Sequence, residues 1–368
     1  MCNYNIVCPF IPNKANDIKR IMDKNLDIQI VEALKAYLAS GVEDQVDYQK
    51  FYLYSIVTHS TAIEGSTVTE IENQLLFDKG IAAKGRSLTE QMMNVDLKDA
   101  YLHAFKIASE NPTYTPRILQ QLSALVMRRT GSEYSTLTGQ FDSSKGEFRM
   151  CNVSAGIGGR SYLAYNKVPR AVEDFCKWLN DEIANIDKTD IAACYRLTFE
   201  AHFRLVTIHP WVDGNGRTTR LVMNMIQRQL GLIPSIVRKE DKGEYIQSLV
   251  DSRENEDSPI AQYVMLRHHI ANLNRRTLQY QENDTVNLQP DTARDTVNSQ
   301  NDTVNKLKEG LKRIYIAIQN NPKITHSQLM EIFNISESTA KRATRYLKKL
   351  GYIEREGSDK TGRWVILK

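Results

Sequence analysis

The twelve residues His209-Pro210-Trp211-Val212-Asp213-Gly214-Asn215-Gly216-Arg217-Thr218-Thr219-Arg220 constrain this chain more than any other stretch. Upstream of them, Ile191, Cys194, Leu197, Ala201, Leu205 and Ile208 recur at three- and four-residue steps, the pattern of a helix with one buried stripe. Pro210 disfavours helical geometry at His209, so the spacing predicts a helix that ends there and a turn that follows. Beyond Gly216 a second apolar pattern (Leu221, Val222, Met225, Leu230) runs up to Gly231, a good residue for a helix C-terminus. The stretch therefore reads as helix, tight glycine loop, helix. The start of the second helix offers free backbone N–H groups and the positive end of a dipole, which together suit an anion.

The side chains on this loop match that electrostatics. Gly214 and Gly216 have no Cβ, so phosphate oxygens can approach the backbone closely. Arg217 and Arg220 lie three apart on one helix face and can both reach a polyphosphate. Asp213 is the one carboxylate in the stretch and can hold Mg²⁺ against phosphate oxygens. His209, with an ordinary pKa of about 6.5, can take a proton from an attacking hydroxyl near neutral pH. A structural histidine, a plain turn and a solvated helix face would each account for one feature. Their occurrence together in one short stretch favours a nucleotide-transfer site.

These residues resemble the signature of the Fic family (filamentation induced by cAMP), H-x-F-x-[D/E]-G-N-G-R-x-x-R, with Trp211 where Phe is usual. The exchange bears on local packing more than on chemistry. The resemblance implies a mainly α protein, a Fic-type helical bundle carrying a small β-hairpin flap. It also implies roles: His209 as general base, Asp213 as Mg²⁺ ligand, Gly214, Asn215 and Gly216 as anion cradle, Arg217 and Arg220 as grips on the outer phosphates. Members of the family mostly move AMP from ATP to a Ser, Thr or Tyr hydroxyl of a target protein. The G-N-G-R form here resembles those adenylyltransferases rather than the Doc-like branch, which carries Lys at the second Gly and transfers phosphate. The implied partners are ATP, Mg²⁺ and a hydroxyl-bearing protein, the enzyme itself included.

A second stretch carries an electrostatic anomaly. Gly65 is a good helix stop, which leaves Glu64 in a last turn whose dipole disfavours negative charge. An exposed Glu would account for it at a few tenths of a kcal/mol; so would a cationic partner, for which Arg220 is the candidate. Ser60, Glu64 and Gly65 also resemble the Fic inhibitory motif [S/T]-x-x-x-E-[G/N]. That resemblance implies an N-terminal inhibitory helix whose Glu64 pairs with Arg220 and blocks placement of the γ-phosphate. Tyr245 stands where relatives place an aromatic near the adenine; a core tyrosine is the alternative.

With 368 residues the chain is long for one domain, and it divides readily. Residues 1–110 read as an N-terminal helical region whose inhibitory helix ends at Glu64-Gly65, with helix starts at Thr69-Glu72 and Ser87-Glu90, the latter a capping-box pattern. Residues 111–280 form the catalytic domain. Within it, the glycine-broken segment 139–169 predicts a hairpin with Phe148-Arg149-Met150 and Tyr162-Leu163-Ala164-Tyr165 as strands. Gly146 to Arg149 is a G-x-x-R element, and with the hairpin it resembles the Fic flap, which positions a target backbone by strand addition; a plain surface hairpin is the alternative. Residues 281–305 contain Asp-Thr-Val-Asn three times and no aromatic residue, the composition of a linker.

Residues 306–368 read as a winged helix-turn-helix domain. They hold 14 Lys or Arg against 6 Asp or Glu, or +8, which leaves −4 for the remainder of a chain of net charge +4. The third helix, capped by Ser336 and ended by Gly351, carries Lys341, Arg342, Arg345, Lys348 and Lys349, with Arg355, Lys360 and Arg363 around the wing. Such a helix suits the major groove of DNA, and winged helices that bind proteins are the alternative. Five scattered cysteines, no basic-apolar leader and no apolar run near 20 residues predict a cytoplasmic protein with reduced thiols and no membrane partner. A homodimer is left open. Three functional classes follow: adenylyl transfer to protein hydroxyls; the same fold using another nucleotide or removing AMP; and a DNA-binding regulator with a sensory Fic domain.

Overall fold

Helix α8 (Asn215–Gln229) explains how the helices around it are arranged. Leu221, Val222, Met223, Met225 and Ile226 place apolar side chains all round it, and all are at most 1% exposed. A helix apolar on every side has to be surrounded. It is enclosed by α4 (Leu88–Ala108), α5 (Pro116–Val126) and α7 (Ile191–Ile208), with α6 (Val168–Asn185) packed on α7. Two polar residues in the middle of α8 are satisfied internally. Asn224 Nδ2 donates to the Tyr101 hydroxyl at 3.0 Å, and Gln227 Nε2 to Thr198 and Ser235 at 3.0 Å each.

This computed structural model describes residues 14–155, 160–255, 259–286, 309–333, 337–357 and 362–367. Its contacts divide into two compact units, Met1–Tyr37 with Lys50–Arg276, and Leu38–Gln49 with Thr277–Lys368. The remaining helices are α1 (Lys14–Ser40), α2 (Tyr48–Ile63), α3 (Glu70–Lys79), α9 (Lys242–Glu254) and α10 (Ile260–Val286). Both predicted helix starts carry reciprocal capping boxes, Thr69 with Glu72 and Ser87 with Glu90. Residues 281–286, read above as the beginning of a linker, continue α10; the rest of 281–305 lies outside the described residues.

The hairpin lies earlier than expected. Strands β1 (Glu133–Thr136) and β2 (Gly139–Asp142) pair antiparallel, with Tyr134 opposite Phe141. Phe148–Met150 and Tyr162–Tyr165 do not form a ladder; Ser154 and Ser161 make an isolated bridge between the two arms. The physical reason is a competing partner. The carbonyls of Cys151 and Leu163, which a ladder would use, accept from the buried guanidinium of Arg149 at 2.8 and 2.5 Å.

The C-terminal unit has the winged-helix order: α11 (Glu309–Asn320), α12 (His326–Phe333), α13 (Glu337–Lys349), then β3 (Ile353–Glu356) antiparallel to β4 (Arg363–Ile366). Ile314, Ile318, Leu329, Leu347, Ile353 and Trp364 form its core. Thr325 and Gln328 cap α12 reciprocally, and Gly351, at φ 70°, ends the α13 turn. Lys341, Arg345, Lys348 and Lys349 are exposed on α13. Ser336, Lys360 and the side chain of Arg342 lie outside the described residues.

Candidate active site

His209 ends α7 with φ 54° and ψ 62°, a left-handed conformation unusual for a residue with a side chain. Such strain, of order 1–3 kcal/mol, persists only where neighbours hold it. Arg149 does the holding. Its backbone N–H donates to the Pro210 carbonyl at 3.0 Å, and its Nε to the His209 carbonyl at 2.8 Å. With its other nitrogens on Cys151 and Leu163, this guanidinium ties the flap to the loop that follows α7, at 1% exposure. Gly146 explains the G-x-x-R element: its φ is 70°, and a Cβ there would sit 1.9 Å from the Gln120 carbonyl oxygen. Its own carbonyl accepts from the Trp211 indole at 3.0 Å. Tryptophan at the usual Phe position thus fills a buried slot, and its additional N–H finds a partner.

The loop is closed by Asn215. Its Oδ1 accepts from the Trp211 N–H at 3.1 Å, while its Nδ2 donates to the Trp211 carbonyl at 2.8 Å. Gly214, at φ 76°, caps α8 with Met127 packed beneath it; a Cβ there would meet the sulfur at 2.6 Å. Asp213 projects outward, with Oδ1 accepting from the Gly214 N–H at 2.5 Å and lying 3.4 Å from Arg217 Nη2. Burial pushes the His209 imidazole from its ordinary value down to about 4, and the charges of Arg149 and Arg253 act the same way. The Val206 carbonyl and the more distant Glu64 oppose them.

Two guanidiniums face this loop. Arg217 is buried, and its Nε and Nη1 have no hydrogen-bond partner among the described residues. Its Nη2 has only the Met127 sulfur, at 3.3 Å, and Asp213. A buried cation with unfilled donors is held ready for an anion. Arg220 is filled on all sides. Its Nε donates to the Ser60 hydroxyl at 2.9 Å, and its Nη2 to the Ser60 carbonyl at 2.9 Å and to Glu64 Oε1 at 2.6 Å.

Glu64 stands in the turn just after α2, whose backbone bends back at Gly65, φ 105°. Its carboxylate reaches the first turn of α8, where a Cβ on Gly216 would lie 2.2 Å from Oε1. A protein carboxylate therefore occupies the place that the helix N-terminus offers to an anion. Burial raises the Glu64 pKa, but Arg220, by charge and hydrogen bond, outweighs it and leaves the group below the usual carboxylate range. A buried polar cluster anchors the end of α2. Thr61 donates to Asn94 Oδ1 at 2.8 Å, and Asn73 Nδ2 donates to Asn94 Oδ1 and to Thr58, both at 2.8 Å.

Tyr245 is 1% exposed, and its hydroxyl lies 2.7 Å from His202 Nε2 and 3.4 Å from Arg220 Nη1. It sits behind Arg220 and presents no open ring face to a base. The structure thus brings His209, Asp213, Gly214, Asn215, Gly216, Arg217, Arg220, Ser60, Glu64 and Gly65 around one helix N-terminus. Sequence reasoning passed over Met127, Asn94, His202 and Tyr162. Met127, Asn94 and His202 stand in no recognisable local pattern, Tyr162 reads only as a strand residue, and each comes in from a separate element.

Residues 113–227 match the Fic/DOC family, and residues 311–354 match a winged helix-turn-helix DNA-binding family. The Protein adenylyltransferase Fic of Drosophila erecta is 29% identical over 211 residues, 56% of this chain and 39% of the relative. Protein adenylyltransferase fic-1 of Caenorhabditis elegans is 27% identical over 230 residues, 62% of this chain and 41% of the relative. The chain thus spans about two fifths of the length of these relatives. Among solved structures, Fic-1 of C. elegans superposes with TM-score 0.58 at 21% identity, over 73% of this chain and 76% of that one. A Fic family protein from Desulfovibrio desulfuricans gives 0.55 at 18% identity, over 99% and 98% of the two chains.

Proposed function

From the premise that this chain carries a Fic/DOC family domain followed by a winged-helix module, we propose that it is an autoinhibited protein adenylyltransferase. It transfers AMP from ATP to a hydroxyl side chain of a protein, and the reaction takes place in the cytoplasm. The observation that carries this reading is the convergence at the α8 N-terminus of an unfilled buried guanidinium, Arg217, and a neutral imidazole, His209. Phosphate-transfer chemistry rests mainly on positioning and charge neutralisation, and the site supplies both.

In this reading the triphosphate lies over Gly214, Asn215 and Gly216, with Arg217 and Arg220 on its outer phosphates. His209 accepts the proton of the target hydroxyl as that oxygen attacks the α-phosphorus. The bond from the α-phosphorus to the bridging oxygen breaks, and pyrophosphate leaves. Asp213, exposed and next to the loop, fits a Mg²⁺ ion, which binds through one or two carboxylates plus substrate phosphates and would neutralise phosphate charge. Tyr245 acts by seating Arg220. Glu64 restrains the enzyme, because its carboxylate holds Arg220 and fills the anion position, so ATP must displace it. Incubation with ATP and intact-mass analysis of wild type, Glu64→Gly and His209→Ala tests the reading. Addition of AMP in the Glu64 variant and none in the His209 variant is expected; equal addition in both would overturn it.

The second module favours a further role. The exposed Lys341, Arg345, Lys348 and Lys349 on the third helix of a winged-helix unit suit DNA, so the protein is also proposed to bind it.

A further inference from the structure

One contact at the site has no part in the reading above. The Tyr162 ring lies on the His209 imidazole, with centroids 3.8 Å apart and planes 17° from parallel. Tyr162 comes from the returning arm of the flap, where its N–H donates to the Val153 carbonyl at 3.0 Å. Arg253, on α9, holds it from outside the flap. The Arg253 guanidinium carbon lies 5.0 Å from the Tyr162 ring centroid, and the Arg253 carbonyl lies 3.4 Å from Arg160 Nη1. Side chain and backbone of one α9 residue thus engage the same flap arm.

The chemistry of a stacked imidazole is specific. Its nitrogen lone pair lies in the ring plane, so a ring stacked on its face leaves that lone pair free at the edge. A base works only when the lone pair is aimed at the proton it takes, and aim is set by the orientation of the plane. Resting on the reading of His209 as the base, we propose that Tyr162 is a positioning residue that fixes the plane of the His209 imidazole and covers its face, and that Arg253 seats Tyr162 there.

The charged groups facing His209 are Arg149 from the flap, Arg253 from α9 and Glu64 from the turn after α2. With its face covered, the imidazolium is deprived of water, and two of these three neighbours are cations that disfavour it further. The ring therefore stays neutral, the form that accepts a proton, well into the acid range. Opening the face to water reverses the solvation part of that effect.

The test uses the full-length Glu64→Gly protein as parent, with initial rates of AMP transfer across pH. It adds NMR titration of ¹⁵N-labelled histidines, the His209 signal being assigned by its loss in His209→Ala. In Tyr162→Leu the His209 midpoint should rise from about 4 toward the ordinary 6.5, and the acid limb of the rate profile should rise with it. Turnover should fall about tenfold or more, with KM for ATP unchanged within about twofold. Tyr162→Phe keeps the ring and should match the parent in both readouts. Tyr162→Leu with the parent's titration and acid limb would overturn the proposal, as would a Phe variant that shifts as far as Leu. Should Tyr162→Leu fail to fold, Arg253→Lys, which keeps the positive charge near His209 but gives up the planar guanidinium over Tyr162, carries the comparison: an upward shift in both readouts supports the proposal, and no shift overturns it. A parent without any AMP transfer would refute the enzymatic reading while the NMR titration still judges Tyr162, so the two failures are distinct.

Discussion

Replacing Glu64 by Gly should remove the proposed restraint while leaving the contacts that seat Arg220 and α2. Arg220 keeps Ser60 and Tyr245 as partners, and α2 keeps its anchor on Asn94. The lost interaction is a single charge-assisted hydrogen bond of 2.6 Å, with Arg220 3% and Glu64 33% exposed at the side chain. Hydrogen bonds to charged groups are worth about 1.5–3 kcal/mol, and the third of the carboxylate open to solvent places this one at about 1.5–2 kcal/mol. At tenfold per 1.4 kcal/mol, the ATP-accessible population should rise about ten- to thirtyfold. Isothermal titration of ATP-Mg²⁺ and the initial rate of α-labelled AMP incorporation should both improve by that factor in Glu64→Gly. Glu64→Gln, which keeps the bulk but loses the charge, should fall between. A Glu64→Gly protein that binds ATP and transfers AMP no better than wild type would refute the reasoning.

Other expectations follow from the same geometry. Trp211→Phe, although it restores the usual residue, should lower stability by about 1–3 kcal/mol, because it orphans the Gly146 carbonyl in a buried slot; urea unfolding checks it. Stability should decline as pH falls below about 6.5, since His202 and His269 are buried with pKa values pushed by desolvation to about 3. The unfolded chain binds those protons first, so each residue costs up to about 1.4 kcal/mol per pH unit between 6.5 and 3, and His269→Gln should flatten the urea-midpoint profile. DNA affinity should fall steeply with salt, and the double variant Lys341→Ala, Arg345→Ala should reduce the log–log slope by about 2, as read by fluorescence anisotropy at several salt concentrations.

How much of this was legible in the sequence depends on how local each feature is. The helix–loop–helix around His209 could be read because Pro210, Gly214 and Gly231 punctuate it: α7 ends, and α8 begins and ends, within a residue or two of those marks. The Glu64–Arg220 pair could be anticipated from an acidic residue at the wrong end of a helix dipole. A small hairpin was legible but its place was not: the glycine-broken runs at 148–150 and 162–165 suggest strands, whereas Arg149, a single residue, takes the carbonyls that a ladder there would have used. Tyr162 lay hidden for a similar reason: its partners, His209 and Arg253, are 47 and 91 residues further along the chain, and no periodicity links them. Tyr245, for which position alone left both an adenine contact and a core place open, is buried against Arg220 and His202.

The central claim is that this site moves a nucleotide, and the fate of the two ends of ATP tests it most directly. The Glu64→Gly protein, incubated in parallel with ATP labelled at the α- or the γ-phosphate in the presence of a cell extract, should yield α-labelled protein only, with the γ-label released in pyrophosphate. Protein labelled from the γ-phosphate, or label from neither position, would contradict the account.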